Sequence, residues 1–195
     1  VIAAAANGQT MDYANRSDRQ VAGMYEKREA DWRNGAVVYQ VLVDRFAPSA
    51  ALEAKRALYP APKKLRGWKE EPRRGTYLET EKLWSHEIDF WGGDIASTVG
   101  KLDYVQQLGA DVLYLNPVVL AYTNHKYDAL DFQAVSPEYG TRDDFRRLAA
   151  DAKRRGIKVV LDGVFNHMGR NAPIFREAFA DPKSKYRDWF AIGPQ

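Results

Sequence analysis

The chain contains no cysteine, which removes disulfides, thiolate metal sites, thiol nucleophiles and redox pairs. The absence selects no compartment, because many secreted proteins lack disulfides too. No stretch approaches the about 18 consecutive apolar residues of a membrane span. The run Val1 to Ala6 has neither the basic n-region nor the full apolar h-region of a signal peptide, so secreted, periplasmic and cytoplasmic settings all stay compatible. A dominant charge is missing as well: 29 Lys+Arg against 26 Asp+Glu leave a formal +3. The clusters Lys63-Lys64-Leu65-Arg66, Arg73-Arg74 and Lys153-Arg154-Arg155 sit in a chain with acids interleaved elsewhere. Solvated loops and helix faces explain them better than a nucleic-acid footprint, and neither a nucleic acid nor a membrane is expected as partner. There is no HExxH pair and no Gly-x-Ser-x-Gly elbow. Gly93 to Gly100 is two residues too long for a phosphate loop, and Leu102 stands where its hydroxyl residue belongs.

What remains is ordinary globular material: 195 residues, 45% hydrophobic, enough for a sizeable core. Ser17 with Gln20 reads as a capping box, opening a packing helix whose loose apolar face is Val21, Met24, Tyr25 and Trp32 and which ends near Asn34-Gly35. Val37 to Val43 is a nearly continuous β-branched run, predicting a strand covered on both faces. Ala50 to Leu58 predicts a short helix and Pro60 to Arg74 an exposed loop. A helix is expected from Ser97 through Gly100, with Val99, Leu102, Val105 and Leu108 on one side and Gly109 as its stop. Asp111 to Leu115 follows as a second buried strand. Thr141 and Asp144 cap a helix that presents Phe145, Leu148, Ala149 and Ala152 and stops before Gly156. Ile157 to Leu161 is a third strand of the same buried type. Strands alternating with helices mean parallel pairing and right-handed crossovers, an α/β fold.

In such folds the working residues gather beyond the C-terminal strand ends. That rule selects Asp44-Arg45, Asn116 to Asp131 and Asp162 to His167. Two of the three histidines, His125 and His167, fall in these zones, whereas His86 reads as a surface residue. Asp162 to His167 concentrates a carboxylate, an amide and an imidazole that can hold sugar hydroxyls, ligate a hard cation or orient a base. Its bland alternative is a capped turn beside a satisfied loop histidine. Asn124-His125-Lys126-Tyr127-Asp128 joins an aromatic face to polar groups, a composition suited to a sugar ring and equally to a polar loop with one packing tyrosine.

Five motifs in this order resemble the N-terminal part of the α-amylase family of glycoside hydrolases. They are Val38-Tyr39-Gln40 with Asp44-Arg45-Phe46, Gly92-Gly93-Asp94, Leu115-Asn116-Pro117, Asn124-His125-Lys126-Tyr127-Asp128, and Asp162-Gly163-Val164-Phe165-Asn166-His167. With Tyr186-Arg187-Asp188-Trp189-Phe190, the chain is most similar to the neopullulanase, cyclomaltodextrinase and maltogenic amylase group. The resemblance implies a TIM-type (β/α)8 barrel of which residues 36–195 form the first three β/α units, with residues 1–35 an N-terminal extension carrying one helix.

The same resemblance implies a retaining glycoside hydrolase acting on α-1,4 and in some relatives α-1,6 linked glucans such as maltodextrins and cyclodextrins. Tyr127 would stack under the glucose ring at the cleavage subsite, His167 would hydrogen-bond that ring, and Asp162 would lie beneath it. His125 and Asp128 are implied neighbours of the sugar. The catalytic carboxylates of the family follow strands four and five, with a further Asp after strand seven, so none is expected here. The remainder of the barrel or a second chain would complete the fold. No cofactor is required by the chemistry. Asn166 stands where many α-amylases bind calcium. Near the first strand, Ala47 to Leu52 lacks the Asn and Asp ligands of calcium-binding relatives, and Asp94 alone is a poor site for an ion that takes six to eight oxygens. The alternative reading is a non-catalytic carbohydrate-binding module built on a partial barrel.

Overall fold

The computed structural model describes residues 16–193, with side chains from Val21 onward. The chain divides into two units, Val1–Ala36 and Val37–Gln195. In the first, helix α1 (Arg16–Glu29) leads to turns ending at Gly35, whose φ of +82° suits glycine. The capping pair expected at Ser17 and Gln20 lies outside the described side chains. The helix stops five residues earlier than its sequence pattern implies, and Val21, Met24, Tyr25 and Trp32 are exposed, so the expected packing face is not buried.

The second unit runs β1 (Val38–Val41), β2 (Lys64–Leu65), β3 (Tyr77–Leu78), β4 (Leu83–Trp84), β5 (Asp89–Phe90), α2 (Ile95–Val99), α3 (Leu102–Gln107), β6 (Val112–Leu115), β7 (Val119–Ala121), β8 (Ala129–Val135), α4 (Arg142–Arg154), β9 (Lys158–Leu161) and α5 (Pro173–Ala180). Its frame is a parallel sheet in the order β1-β6-β9, registered Val38 to Val112 to Lys158. Sequential neighbours joined by helical crossovers make a singly wound sheet, the arrangement that closes into a barrel when continued.

Pleating sends alternate side chains to opposite faces. Tyr39, Val41, Leu113, Leu115 and Val159 meet Leu102, Val105, Leu148 and Ala152 of the helices in one core. The other face carries Gln40, which is exposed, and Tyr114 and Val160, which are half-buried. Both outer strands therefore fall short of the two-sided burial expected of them. Val38 is 55% exposed on β1 and Leu161 46% on β9, because each is a sheet edge among the described residues.

Helix boundaries follow capping chemistry. Thr141 accepts from Asp144 N while Asp144 accepts from Thr141 N, as the sequence pattern predicts for α4. The helix expected from Ser97 begins at Ile95 instead, because Asp94 is the cap, accepting from Ser97 N at 2.7 Å. It breaks at Gly100-Lys101 into α2 and α3, and Leu108 is exposed. Between Ala50 and Leu58 the expected helix is a 3-10 turn over Glu53–Leu58.

The Gly92-Gly93-Asp94 motif is architectural. Gly92 has φ +77°, and a Cβ on Gly93 would meet the carbonyl oxygen of Val43 at 2.2 Å. That close approach lets Gly92 N donate to the fully buried Asp44 at 2.9 Å and Trp91 N at 3.0 Å. Burial raises the Asp44 carboxyl despite these donors.

The presumed solvated loop Pro60 to Arg74 proves partly structural. Lys63 pairs with buried Glu138 at 3.0 Å, and Arg66 with Asp89 at 3.0 Å. The Glu138 carboxyl, pushed up by burial, is brought down further by Lys126, Lys63 and Ser136, from the ordinary 4.5 to about 2. A depressed folded-state value gives stability that is complete above the ordinary value and lost as pH falls toward 2. Unfolding free energy is thus expected to decline between about pH 5 and 2. In Glu138→Gln, circular-dichroism denaturation curves should show a smaller decline over that window.

Candidate functional site

The loops leaving β6 and β9 meet the β3–β4 hairpin around a groove of about 320 Å³. Glu81 to Leu83 form one wall, Tyr122 to Asp128 the floor, and His167 to Asn171 the other wall. Ties across it fix its shape: Tyr122 Oη donates to Glu81 Oε2 at 3.0 Å, and Arg170 donates to the Glu81 carbonyl.

The floor comes from an alternation within Asn124 to Asp128. Asn124 and Lys126 point inward. The Asn124 side-chain amide donates to the carbonyls of His86 at 2.7 Å and Asp89 at 2.8 Å, and the Asn124 backbone carbonyl accepts from Tyr139 Oη. Lys126, fully buried with φ +64°, pairs with Glu138 at 3.3 Å and lies over the rings of Phe90 and Tyr139. His125 and Tyr127 consequently face the groove, their rings 5.7 Å apart and tilted by 33°.

Both rings are held from behind. Tyr127 Oη donates to Asp162 Oδ2 at 2.6 Å, and this bond is the chief cause that pushes the phenol up to about 12. Asp162 follows the last residue of β9, and its carboxylate also raises the phenol of Tyr114 on β6, where burial is the larger cause. His125 Nε2 contacts Glu87 Oε1 at 3.1 Å, and its Nδ1 accepts from Tyr127 N at 3.1 Å. On the mouth of the sheet, Gln40 donates to Asn116 Oδ1 at 2.8 Å.

Of the residues singled out from sequence, His125, Tyr127, Asp128 and His167 line one groove and Asp162 joins it through Tyr127. Their roles differ. Asp128 turns its carboxylate to Tyr122 N, Thr123 N and the Thr123 hydroxyl, so it holds the loop closed. His167 is exposed and its Nδ1 lies 3.4 Å from the Asn166 amide. Asn166 is exposed too, and among the described residues no three His, Cys, Asp or Glu side chains gather into an ion site. His86 is exposed, as read from sequence.

Glu81, Glu87 and Arg170 belong to the groove and escaped sequence reading. Glu87 reaches His125 across 38 residues and Arg170 reaches Glu81 across 89, separations that leave no local pattern.

The family profile described as "Alpha amylase, catalytic domain" matches residues 40–195. Neopullulanase 2 of Thermoactinomyces vulgaris is 34% identical over 163 residues, covering 83% of this chain and 25% of that protein. A Bacillus cyclomaltodextrinase is 34% identical over 162 residues, covering 83% and 26%. The ligand-free cyclic alpha-maltosyl-(1→6)-maltose hydrolase from Arthrobacter globiformis superposes with a TM-score of 0.67 at 33% identity, covering 83% of this chain and 33% of that one. The chain thus spans about a quarter to a third of the length of these relatives. Its three parallel β/α units are the opening part of a TIM-type barrel, and the chain belongs to the alpha-amylase family.

Proposed function

We propose that the polypeptide bearing this chain is a retaining glycoside hydrolase acting on α-1,4 linked glucans such as maltodextrins or cyclodextrins, and that this chain supplies part of its sugar-binding floor. The observation that carries the reading is the convergence of His125, Tyr127 and His167 on one groove, with Tyr127 tethered to Asp162 at 2.6 Å. A glucose ring has an apolar face that stacks on an aromatic ring and a rim of hydroxyls that need donors and acceptors. Tyr127 offers the stacking face, and its phenol, staying protonated below about pH 12, keeps donating to Asp162. The ring is therefore oriented before the sugar arrives, which lowers the ordering cost of binding. His167, on the opposite wall, offers an imidazole to a hydroxyl of the same sugar. Residues 1–35 are an extension outside this unit.

Retention of configuration needs a carboxylate nucleophile and a carboxylic acid about 5–5.5 Å apart on either side of an oxocarbenium-like transition state. That pair belongs to strand ends beyond the three in this chain, supplied by the rest of the barrel or a second chain. Names of relatives such as neopullulanase and cyclomaltodextrinase support maltodextrin-type substrates.

In the intact polypeptide, Tyr127→Ala and His167→Ala should each lower kcat/KM on maltodextrin by about 100-fold, the size of loss that follows sugar misplacement, with an unchanged circular-dichroism spectrum. Tyr127→Phe keeps the stacking face and should lose much less. Wild-type turnover in both alanine variants would sink the assignment.

A further inference from the structure

Lys55 lies in the 3-10 turn between β1 and β2, and its side chain is only 13% exposed. Its ammonium donates to three oxygens at 3.0 Å each: the carbonyls of Gly92 and Glu138 and Oδ2 of Asp94. The three acceptors come from separate stretches, the bend after β5, the cap of α2 and the turn before α4. An ammonium has three protons and no acceptor, and here every proton has a partner.

Two carbonyls and a carboxylate converging on one point are the donors a hard cation selects. Their placement is built in. Gly92 adopts φ +77°, and a Cβ there would strike Leu52 Cδ1 at 2.2 Å. Burial pushes the Asp94 carboxyl up, but hydrogen bonds from Ser49, Ser97 and Lys55 outweigh it and leave it below its ordinary value. The stretch Ala47 to Leu52 holds no Asn or Asp, and the turn that follows it contributes a lysine instead. Three protein oxygens with one carboxylate fall short of a calcium shell, while a single positive charge balances Asp94.

We infer that the Lys55 ammonium acts as an internal cation, joining the loop after β1 to the Gly92–Asp94 bend and the Glu138 turn where a metal ion would otherwise be required. A tethered cation cannot be removed by a chelator, so this junction is independent of metal supply. The lock bears on function through position, because the Glu138 turn also holds Lys126, between the groove residues His125 and Tyr127.

The test uses the intact polypeptide. Lys55→Ala should lower Tm by about 5 °C and expose three converging oxygens. Propylammonium chloride, at ionic strength matched with sodium chloride, should then raise the Tm of the variant by several degrees more than that of wild type. If Lys55→Ala does not fold, recovery of the native circular-dichroism spectrum on adding propylammonium chloride, and not with matched sodium chloride, carries the same comparison. A Lys55→Ala variant as stable as wild type, or one that responds to propylammonium no more than wild type does, would overturn the inference.

Discussion

A polypeptide consisting of these 195 residues alone is expected to release no reducing sugar from maltodextrin or cyclodextrin. The full catalytic enhancement, on the order of a million-fold or more, should be missing, because every carboxylate at the groove is already committed. Asp162 accepts the Tyr127 phenol, and Asp128 closes its own loop. Glu87 accepts from Trp84 N and meets His125, while Glu81 accepts from Tyr122. Using any of them as nucleophile or acid would break the contacts that shape the groove. The open edges β1 and β9 add a second expectation, since unpaired strand edges invite association. Size-exclusion chromatography should show the isolated chain aggregating. Turnover by the monomeric chain would refute both the carboxylate assignment and the proposed dependence on further strands.

Glu138→Ala is expected to cost about 3–5 kcal/mol of stability, the range for removing one partner of a buried ion pair. Its Oε1 serves Lys63 at 3.0 Å and Lys126 at 3.3 Å, and its Oε2 accepts from Ser136. Lys126 has no exposed surface, so the truncation strands a buried ammonium beside Phe90 and Tyr139. Burial already lowers the Lys126 ammonium below its ordinary value, with Glu138 opposing that shift. Without Glu138 the lysine should shed its proton more readily, and the deficit should shrink as pH rises. Urea denaturation of the intact protein at pH 7 and 9 measures this. A cost under about 1 kcal/mol at pH 7 would show that the pair is not a determinant of the fold. The same variant should lose turnover, because Lys126 anchors the strand of residues that presents His125 and Tyr127.

Where structure depends on neighbours in the chain, the sequence was readable. The Thr141 and Asp144 cap, the Gly156 stop and the three parallel strands all rest on short-range patterns. The string Asn124 to Asp128 was readable as a site because its chemistry is concentrated in five residues. Its division of labour was not, since only contacts 35 to 38 residues away decide that Asn124 turns inward and His125 outward. Asp94 read as part of a glycine motif, and its role as helix cap emerged from the Lys55 and Ser97 contacts. The continuous apolar run at β1 encodes a strand meant for cover on both faces, while exposure depends on what pairs with its edge. Lys63 looked solvated because composition cannot reveal a partner 75 residues on.

The central claim is that Tyr127, His167 and Asp162 form part of a glucan subsite. The most direct measurement is a crystal structure of the intact polypeptide with a maltooligosaccharide bound. A glucose ring stacked on Tyr127, with a hydroxyl within hydrogen-bond distance of His167 and the Tyr127–Asp162 bond retained, is the predicted result. Oligosaccharide bound elsewhere, with that groove left to solvent at saturating ligand, would contradict it.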